Sequence, residues 1–348
     1  MPSNNQCIIA AAGSGKTKQV VNLALEFASA SSKRVLITTY TNQNIDQINR
    51  YLREEGVRPP NITVLSWFRF VLREGIRPYQ ASVTSLNRVE SVSVGKLPRI
   101  RYISQKEADR YYFNSSRPPN IHSEFLSDFA VYANEKSEGK VISRLEQIYH
   151  TILVDEVQDL GGWDLELLDL LMRSSIRVIL VGDPRQSILN TNRNLKNKQY
   201  RGENIARWFK RQEKKGLCQV TEMNICRRSN QEICDFSDRL FPDLPRTTSV
   251  SNEQTGHDGF FCIKRGDVPE YIRRYSPVVL RHNVLMNVMG LNAMNIGVAK
   301  GLTFDRVLIF PTTTMKKYLM SGDLADLKDP KRLYVAVTRA RHSVAFVI

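Results

Sequence analysis

The residues best suited to chemistry lie in a glycine-rich segment near the start of the chain. Residues 12–17 read AGSGKT; they follow an apolar run, 7–10, and precede a helical stretch, 18–30. This strand–loop–helix context is typical of a P-loop. Glycine lets the backbone approach phosphate oxygens with its N–H groups turned inward, and the helix N-terminus adds a favourable dipole. Lys16 is expected to reach the β- and γ-phosphates of ATP, and Thr17 to offer a hydroxyl to Mg²⁺. The predicted ATP-binding residues here are Ala12, Gly13, Ser14, Gly15, Lys16 and Thr17.

Acidic and amide side chains follow two further apolar runs. Asp155 and Glu156 come directly after 152–154, and Gln186 follows 178–181. Asp155 is predicted to hold Mg²⁺ together with the P-loop hydroxyl, and Glu156 to orient and deprotonate the attacking water. Gln186 would contact the γ-phosphate or that water, because the carboxyl ends of parallel strands form the ligand edge of a sheet. Taken alone, each pattern also fits an acidic helix start or a solvated loop.

The elements that must position these residues alternate between short apolar runs and helical stretches. The first set of runs is 7–10, 35–38, 152–154 and 178–181, and the second is 278–280, 307–310 and 344–348. Short buried runs between helices favour parallel sheets covered on both faces. The sequence therefore predicts an α/β fold in two halves, joined between Gly182 and Arg228. Residues 71–140 carry many Pro and Ser breaks and are predicted as a mainly helical insertion.

Composition and charge restrict the class of protein. The 348 residues include 50 Lys and Arg against 35 Asp and Glu, a formal net charge of +15. That surplus suits a polyanionic partner, most simply nucleic acid, without separating DNA from RNA or from an anionic membrane. No run of apolar residues is long enough to span a membrane, and the start of the chain lacks a signal-peptide pattern. Five cysteines without a CxxC pair argue against a zinc site or a disulfide framework, and a cytoplasmic location is expected.

The order of these motifs resembles the UvrD/Rep-like group of superfamily 1 DNA helicases. The family's first motif is similar to residues 10–17 and tolerates the Ala10 that stands where the P-loop pattern has glycine. The other similar segments, for motifs Ia, Ib, II, III, IV, V and VI, are 38–42, 65–68, 154–159, 181–187, 226–233, 297–304 and 334–340.

The resemblance implies two RecA-like P-loop domains with ATP bound between them. It assigns 1–70 and 141–210 to the first domain, 71–140 to its helical insertion and 211–348 to the second domain. It also implies that Arg228 and Arg339 reach the γ-phosphate, where a permanently charged guanidinium stabilises the transition state. Gly301 of motif V and Gln6, a candidate for reading adenine, complete the predicted nucleotide contacts.

The resemblance further implies that a nucleic-acid strand crosses both domains. The candidate contacts in the first domain are Thr39, Tyr40, Asn42, Ser66, Trp67 and Phe68. Hydroxyl and amide donors suit phosphates and flat aromatic rings suit bases. A place in the hydrophobic core is the alternative for Trp67 and Phe68. Basic residues interleaved with aromatics at 99–102 and 110–113 are candidates for duplex contacts, with a solvated basic face over an aromatic core as the alternative.

The chain also departs from the larger members of that group. Only fifteen residues, 282–296, separate the strand ending near Arg281 from motif V, so the large insertion found there in relatives is absent. The aromatic-rich stretch after motif III is replaced by 188–192. We expect an ATP- and Mg²⁺-dependent single-stranded DNA translocase or helicase, with 3′→5′ travel implied by the family alone. The alternative is an ATP-switched partner subunit of a nuclease or other effector, for example in anti-phage defence, that unwinds little by itself.

Overall fold

The computed structural model describes residues 4–56, 58–86, 88–94, 105, 107–113, 120–188 and 195–348. These residues form two compact units. The first unit takes its residues from 1–9, 17–184 and 189–221, and the second from 10–16, 185–188 and 222–348. The P-loop segment therefore clusters with the second unit, whereas the strand before it and most of the helix after it belong to the first.

The first unit is built on a six-stranded sheet. In chain order, the six strands of this sheet and the separate pair β4 and β5 are β1 (Gln6–Ala10), β2 (Arg34–Thr39), β3 (Ile62–Ser66), β4 (Ser91–Ser93), β5 (Asn120–His122), β6 (Tyr149–Val154), β7 (Arg177–Gly182) and β8 (Gln219–Met223). The sheet order is β3-β2-β6-β7-β1-β8, and β4 pairs with β5 separately. The pairs β2–β3, β2–β6, β6–β7 and β1–β7 are parallel.

Helices cover this sheet. The α-helices are α1 (Lys16–Ala30), α2 (Asn42–Glu54), α3 (Trp67–Phe70), α4 (Ala108–Tyr112), α5 (Leu126–Lys136), α6 (Lys140–Ile148), α7 (Trp163–Met172) and α8 (Ile205–Lys214). A π-helix runs over Val71–Ile76. Short 3₁₀ turns occupy Gln80–Ser82, Ser123–Phe125, Val157–Asp159, Pro184–Gln186, Lys198–Tyr200 and Gly202–Asn204.

The register of the parallel strands brings their carboxyl ends to one edge. Thr39 pairs with Ser66, and Thr38 pairs with Val154, at the ends of β2, β3 and β6. The strands are nearly continuous apolar runs because helices bury both faces of the sheet. The segments that follow the strands therefore meet at this edge, which is where parallel α/β sheets bind ligands.

The inserted segment contains more than helices. Beside the π-helix and α5, it carries the short parallel pair β4–β5. Helix α5 packs against the π-helix and against α7. Gly75 permits this approach, because a Cβ there would lie 3.2 Å from the Cβ of Ala130. The predicted helical character of 71–140 thus comes with a small sheet that the sequence pattern did not indicate.

The second unit has its own parallel sheet. Its elements are β9 (Ile225–Cys226), α9 (Gln231–Arg239), β10 (Thr248–Ser249), β11 (Gly259–Ile263), α10 (Val268–Tyr275), β12 (Val278–Arg281), β13 (Ala293–Asn295), β14 (Phe304–Ile309), α11 (Thr313–Ser321), α12 (Pro330–Val337) and β15 (Ala340–Val347), with 3₁₀ turns at Arg265–Asp267 and Leu324–Asp326. The sheet order is β11-β15-β14-β12-β13, every pair parallel. Strands β9 and β10 form a separate parallel pair.

The predicted α/β class with parallel sheets is confirmed. Each of the seven apolar runs in the sequence lies in or overlaps a strand of one of the two large sheets. Hydrophobic cores form in both units. The core of the first unit is centred on residues such as Leu36, Ile152 and Phe129. In the second unit one cluster is centred on Leu280, Ile309 and Phe346, and another includes Val279, Leu308 and Ala345. Among the described residues, no helix combines the length and apolar character needed to cross a membrane.

Candidate nucleotide and nucleic-acid sites

The P-loop has the backbone geometry that its glycines allow. Gly13 and Gly15 adopt φ angles of +75° and +81°, a left-handed region that L side chains rarely enter. Helix α1 begins at Lys16, two residues before the predicted stretch, so its unpaired N–H groups lie at the end of the loop. The buried hydroxyl of Ser14 has no hydrogen-bond partner among the described residues. Both features fit a loop that binds the phosphates of a nucleotide.

Gly13 is also a point of close approach within the second unit. A Cβ there would lie 2.7 Å from Sγ of Cys226 and 2.8 Å from Cβ of Arg228. The backbone N–H of Arg227 donates to the carbonyl oxygen of Gly13 at 2.9 Å. Nη1 of Arg228 donates to the carbonyl oxygen of Thr338 at 2.9 Å. The structure therefore places the predicted arginine Arg228 beside the P-loop.

Tyr334 makes a second contact with the P-loop. Its hydroxyl accepts a hydrogen bond from the backbone N–H of Ala12 at 3.2 Å. The guanidinium of Arg185 lies 5.8 Å from the centre of the Tyr334 ring, and Nη2 of Arg185 donates to the carbonyl oxygen of Pro245 at 2.5 Å. Arg185 and Tyr334 are both about 1% exposed. Sequence reasoning missed both, although each lies inside a motif that it had singled out.

Gln186 and Arg339, which were predicted independently, are in contact. Nη2 of Arg339 donates to Oε1 of Gln186 at 3.2 Å. Nε of Arg339 donates to the carbonyl oxygen of Val335 at 3.0 Å, which holds the guanidinium against the end of α12. Both side chains are buried. Arg339 is thus held in one orientation before any nucleotide is considered.

Thr17 and Asp155, the two residues predicted to hold Mg²⁺, are in contact. Oγ1 of Thr17 donates to Oδ2 of Asp155 at 2.8 Å, although 138 residues separate them. The other carboxylate oxygen of Asp155 accepts the backbone N–H of Glu156 at 3.0 Å, and the N–H of Asp155 donates to the carbonyl of Thr38. Oxygen ligands in this small number fit Mg²⁺, which keeps several waters and binds through one or two protein groups plus phosphates. The described residues contain no larger cluster of His, Cys, Asp and Glu that would suit another metal.

Glu156 is held in an unusual conformation. Its φ and ψ are 58° and 40°, the left-handed region, and its side chain is buried. Nε2 of Gln158 donates to the Glu156 carboxylate, while Oε1 of Gln158 accepts the backbone N–H of Asp183 at 3.1 Å. A Cβ on Gly182 would lie 2.4 Å from that same Oε1. Left-handed backbone costs a non-glycine residue about 1–2 kcal/mol and persists where its surroundings fix it.

Gln158 is therefore a positioning residue that sequence reasoning missed. The signal was present in the sequence, since Gln158 stands two residues after Glu156 in the motif that was identified. Its role depends on the end of β7, where Gly182 makes room for the amide and Asp183, the next residue, supplies the N–H.

Gln6 and Gly301 are the other two residues that the resemblance assigned to the nucleotide. Gln6 is the first residue of β1, and β1 leads into the P-loop only after Ala10. At about 3.3 Å per residue, Gln6 lies roughly 13 Å back along the strand, at the edge opposite the P-loop. That Gln6 reads adenine therefore stays a prediction. Gly301 adopts φ +85° in the turn before β14, in the second unit.

The candidate nucleic-acid contacts meet at the ends of β2 and β3. The rings of Tyr40 and Phe68 lie edge to face, 5.1 Å apart, and both are partly exposed. Burial, with the nearby Asp164 and Asp159 carboxylates, raises the pKa of Tyr40, so it stays a neutral phenol. Asn42 is exposed in the first turn of α2, and Ser66 caps α3 by accepting the N–H of Arg69.

Two of the candidate nucleic-acid contacts, Trp67 and Thr39, are buried. Trp67 is 1% exposed, and its indole N–H donates to Oδ1 of Asp164 at 2.8 Å. The predicted stacking contact at Trp67 is therefore corrected: its ring is part of the core of the first unit. Thr39 is also about 1% exposed, and its hydroxyl accepts from Nδ2 of Asn44. Its side chain is corrected in the same way, because it is already used inside the protein.

In the predicted basic and aromatic segment at 110–113, the structure buries aromatic rings and exposes the arginine. Tyr112 and Phe113 are buried against Phe129, whereas Arg110 is exposed and pairs with Glu107. A basic face over an aromatic core is thus the arrangement found at 110–113. The candidate segment 99–102 and residues 189–192 after motif III lie outside the described residues.

Comparison with known proteins defines the family. Residues 1–192 match the AAA domain family, and residues 134–348 match the viral superfamily 1 RNA helicase core domain. Each match covers more than half of the chain, and the chain belongs to the superfamily 1 helicases. The predicted superfamily is confirmed. No curated protein matches the sequence.

The fold is similar to those of solved viral helicases. The crystal structure of the arterivirus helicase, nonstructural protein 10, aligns with a TM-score of 0.50 and 16% identity, over 99% of this chain and 59% of that one. Its complex with DNA aligns with a TM-score of 0.49 and 16% identity, over 99% of this chain and 60% of that one. The PRRSV helicase aligns with a TM-score of 0.45 and 16% identity, over 99% of this chain and 52% of that one. The chain spans about three fifths of the length of the first of these proteins. At this identity the likeness shows the fold alone.

Proposed function

We propose that this chain is an ATP- and Mg²⁺-dependent translocase or helicase that acts on single-stranded DNA. The observation that carries the proposal is the 2.8 Å hydrogen bond between Thr17 and Asp155. It brings the hydroxyl that follows the P-loop lysine to the carboxylate that follows β6, which is the donor set that a nucleoside triphosphate and its Mg²⁺ require. When bound, Mg²⁺ would neutralise charge on the β- and γ-phosphates.

Each predicted catalytic residue has a role consistent with its surroundings. Lys16, at the first position of α1, would hold the β- and γ-phosphates. Glu156, fixed by Gln158, would orient the attacking water and accept its proton. Arg228 and Arg339 would stabilise the charge that develops on the γ-phosphate, since guanidinium groups remain charged and offer paired donors. Gln186, in contact with Arg339, would sense the γ-phosphate.

The nucleic-acid side of the proposal rests on the edge formed by β2 and β3. Tyr40 and Phe68 offer partly exposed rings, and Asn42 and Ser66 lie on the same edge with polar groups. Stacking of a base on such a ring contributes about 1–3 kcal/mol. The UvrD/Rep-like assignment, the 3′→5′ direction and the cytoplasmic location remain parts of the proposal, because they rest on the sequence alone. The family description names RNA helicases, so RNA is the alternative strand to test.

A second candidate function is supported by one surface feature. Between β12 and β13 the chain exposes two large apolar side chains, Val284 at 65% and Leu285 at 90%. Exposed apolar groups of this kind mark interaction surfaces when they are clustered. An ATP-switched subunit that works with a nuclease or another effector would use such a surface, and it would hydrolyse ATP without unwinding a duplex by itself.

The decisive experiment measures steady-state ATP hydrolysis with no nucleic acid, with single-stranded DNA and with single-stranded RNA. We expect strong stimulation by DNA and its loss in Glu156→Gln. The matched control is Glu26→Gln, which removes an exposed carboxylate from α1 and should hydrolyse ATP like the wild type. If RNA stimulates hydrolysis and DNA does not, the substrate strand is RNA and not DNA. If neither DNA nor RNA changes the rate of hydrolysis, the result would contradict a translocase that works by itself and favour the ATP-switched partner subunit.

A further inference from the structure

A charged cavity lies on the first unit, away from the proposed nucleotide and strand sites. Its volume is about 520 Å³, within the range of small-molecule sites. The lining residues come from the start of β2 and the loop before it, the π-helix and α6, and they include Lys33, Arg34, Arg73, Glu74 and Arg144. Arg34 begins β2 and Thr39 ends it, so about 16 Å of strand separates the cavity from the ligand edge.

The cavity carries a surplus of positive charge. Lys33, Arg34, Arg73 and Arg144 supply four cations and Glu74 one carboxylate, a balance of 4 − 1 = +3. Glu74 is buried, and Nε of Arg73 and Nη1 of Arg144 each lie 3.0 Å from one of its carboxylate oxygens. One carboxylate therefore orients two guanidinium groups without neutralising both. A buried carboxylate held by two arginines fixes geometry more than it adds stability.

Arg34 is the cation that this arrangement leaves available. It is exposed, and its side chain makes no hydrogen bond or ion pair with any residue that the structure describes. Lys33, by contrast, donates through Nζ to the carbonyl oxygen of Glu146 at 2.9 Å. Among the described residues, Arg34 is thus a cation of the cavity whose side chain is engaged by neither a carboxylate nor a carbonyl oxygen.

A buried hydroxyl beside the cavity is also unsatisfied. Tyr149, the first residue of β6, is 1% exposed, and its hydroxyl has no hydrogen-bond partner in the described part of the chain. Burial and the Glu74 carboxylate raise the pKa of Tyr149 to about 12, while Arg34, Arg73 and Arg144 act in the opposite direction. The hydroxyl therefore lies within electrostatic reach of the charged groups that line the cavity. Buried polar groups without partners are rare and call for an explanation.

The backbone at this place is irregular as well. Arg73 and Glu74 belong to the π-helix Val71–Ile76, which continues directly from α3. A π-helical turn is less favourable than α-helix and occurs frequently at functional sites. Here it turns Arg73 and Glu74 to the same cavity that Arg144 of α6 lines. The irregular turn, the unpartnered hydroxyl and the unpaired arginine are three separate observations at one place.

We propose that this cavity binds a phosphate-bearing anion at a site separate from the one for ATP. Guanidinium groups recognise phosphate oxygens with paired donors, and two of them are already oriented here. A balance of three positive charges favours an anion with several negative charges. Such charge comes either from a free polyphosphate or from the phosphodiester backbone of a nucleic-acid strand. The two sources share one chemistry, and experiment separates them.

The test compares the full-length wild type with two charge-reversal variants. Arg34→Glu changes the unpaired cation of the cavity, and Arg207→Glu makes the same change at an exposed position of α8 outside it. Binding of inorganic tripolyphosphate and of a 20-residue oligothymidylate is measured by calorimetry at low salt. The P-loop is intact in all three proteins, so a difference between the variants reports on Arg34. Thermal unfolding checks that both variants fold.

We expect Arg34→Glu to weaken one tripolyphosphate-binding event at least tenfold, about 1.4 kcal/mol, with Arg207→Glu close to the wild type. If Arg34→Glu also weakens oligothymidylate binding more than Arg207→Glu does, the cavity binds the phosphodiester backbone of a nucleic-acid strand. If only tripolyphosphate binding falls, the ligand is a free polyphosphate. Equal behaviour of the two variants toward both probes would overturn the proposal, whatever their ATP hydrolysis.

Discussion

The amide of Gln158 offers a sharp test of how the catalytic carboxylate is held. Its Nε2 donates to the Glu156 carboxylate, and its Oε1 accepts the N–H of Asp183. Gln158→Glu keeps an acceptor for Asp183 and replaces the donor by a second carboxylate. Gln158→Met removes both hydrogen bonds at similar volume. The two variants therefore separate the support of Glu156 from the support of the backbone after β7.

The expected magnitude follows from the bond that is lost. A hydrogen bond to a charged group contributes about 1.5–3 kcal/mol. At about 1.36 kcal/mol for each factor of ten in rate, losing it lowers kcat roughly ten- to a hundredfold if the donor orients Glu156 for catalysis. The left-handed backbone of Glu156, at φ 58°, adds to this, because a residue released from its clamp relaxes toward a more favourable conformation.

The assay is nucleic-acid-stimulated ATP hydrolysis, combined with equilibrium binding of a fluorescent ATP analogue. We expect kcat to fall in both variants while KM for ATP and analogue binding stay near the wild-type values. The melting temperature should fall mainly in Gln158→Met, which leaves the Asp183 N–H without this acceptor. A matched control is Gln80→Glu. Gln80 is buried, accepts the N–H of Val89 and donates to the carbonyl oxygen of Leu86; it belongs to the insertion and to none of the predicted catalytic motifs.

One result would refute the reasoning. If Gln158→Met hydrolyses ATP at the wild-type rate, then the donor to Glu156 is not needed and Gln158 serves only the fold, whereas a wild-type rate in Gln158→Glu alone would mean that a carboxyl group sharing a proton with Glu156 replaces the donor. Gln158 also serves only the fold if the fall in kcat merely tracks the fall in melting temperature across Gln158→Glu, Gln158→Met and Gln80→Glu.

Three further predictions concern the first unit. Phe68→Ala should weaken binding of a single-stranded oligonucleotide by about 1–3 kcal/mol in a fluorescence titration and leave unstimulated ATP hydrolysis unchanged, because one stacking face is lost. Trp67→Phe should lower the free energy of unfolding in urea by about 1–3 kcal/mol without weakening oligonucleotide binding, since the buried Asp164 carboxylate loses the indole N–H; weaker binding instead would restore Trp67 as a strand contact. Burial raises the pKa of Asp128 from 3.8 to about 6, so the folded chain keeps a proton that the unfolded chain has lost in this window. Its contribution to stability is therefore lost as the pH rises from about 4 to 6, by about 3 kcal/mol, and Asp128→Asn should flatten the pH profile of urea unfolding there.

The parts of the site that sequence reasoning predicted are those that follow from local pattern and a general rule. The P-loop is local, because six consecutive residues define it, running from the turn after β1 into the first residues of α1. The contact between Thr17 and Asp155 is not local, yet it was expected. Both residues follow strands of one parallel sheet, and the carboxyl ends of such strands lie at one edge.

The parts that were missed depend on distances that a linear pattern does not contain. Trp67 and Phe68 are neighbours with the same aromatic character, but only Trp67 turns into the core, where Asp164 accepts its N–H. Two cysteines also lie close together in a way that the linear sequence does not indicate. Cys7 and Cys218 are 211 residues apart in sequence, yet their sulfurs lie 3.5 Å apart, because β1 and β8 are neighbours in the sheet.

In the proposed motor, the contacts around the P-loop would couple ATP binding to movement. Within the second unit, Ala12 donates to Tyr334, and Gly13 accepts from Arg227 next to the predicted finger Arg228. The loop is thus joined to two motifs that carry the predicted arginines, to one through the Tyr334 hydroxyl and to the other through a backbone hydrogen bond. Phosphates that bind through the N–H groups of the loop compete for the same backbone, so the Ala12–Tyr334 bond must break if that N–H turns to a phosphate. Tyr334→Phe removes this competitor. It should tighten binding of the ATP analogue while lowering the extent to which nucleic acid stimulates hydrolysis, and unchanged affinity together with unchanged stimulation would show that the bond carries no coupling.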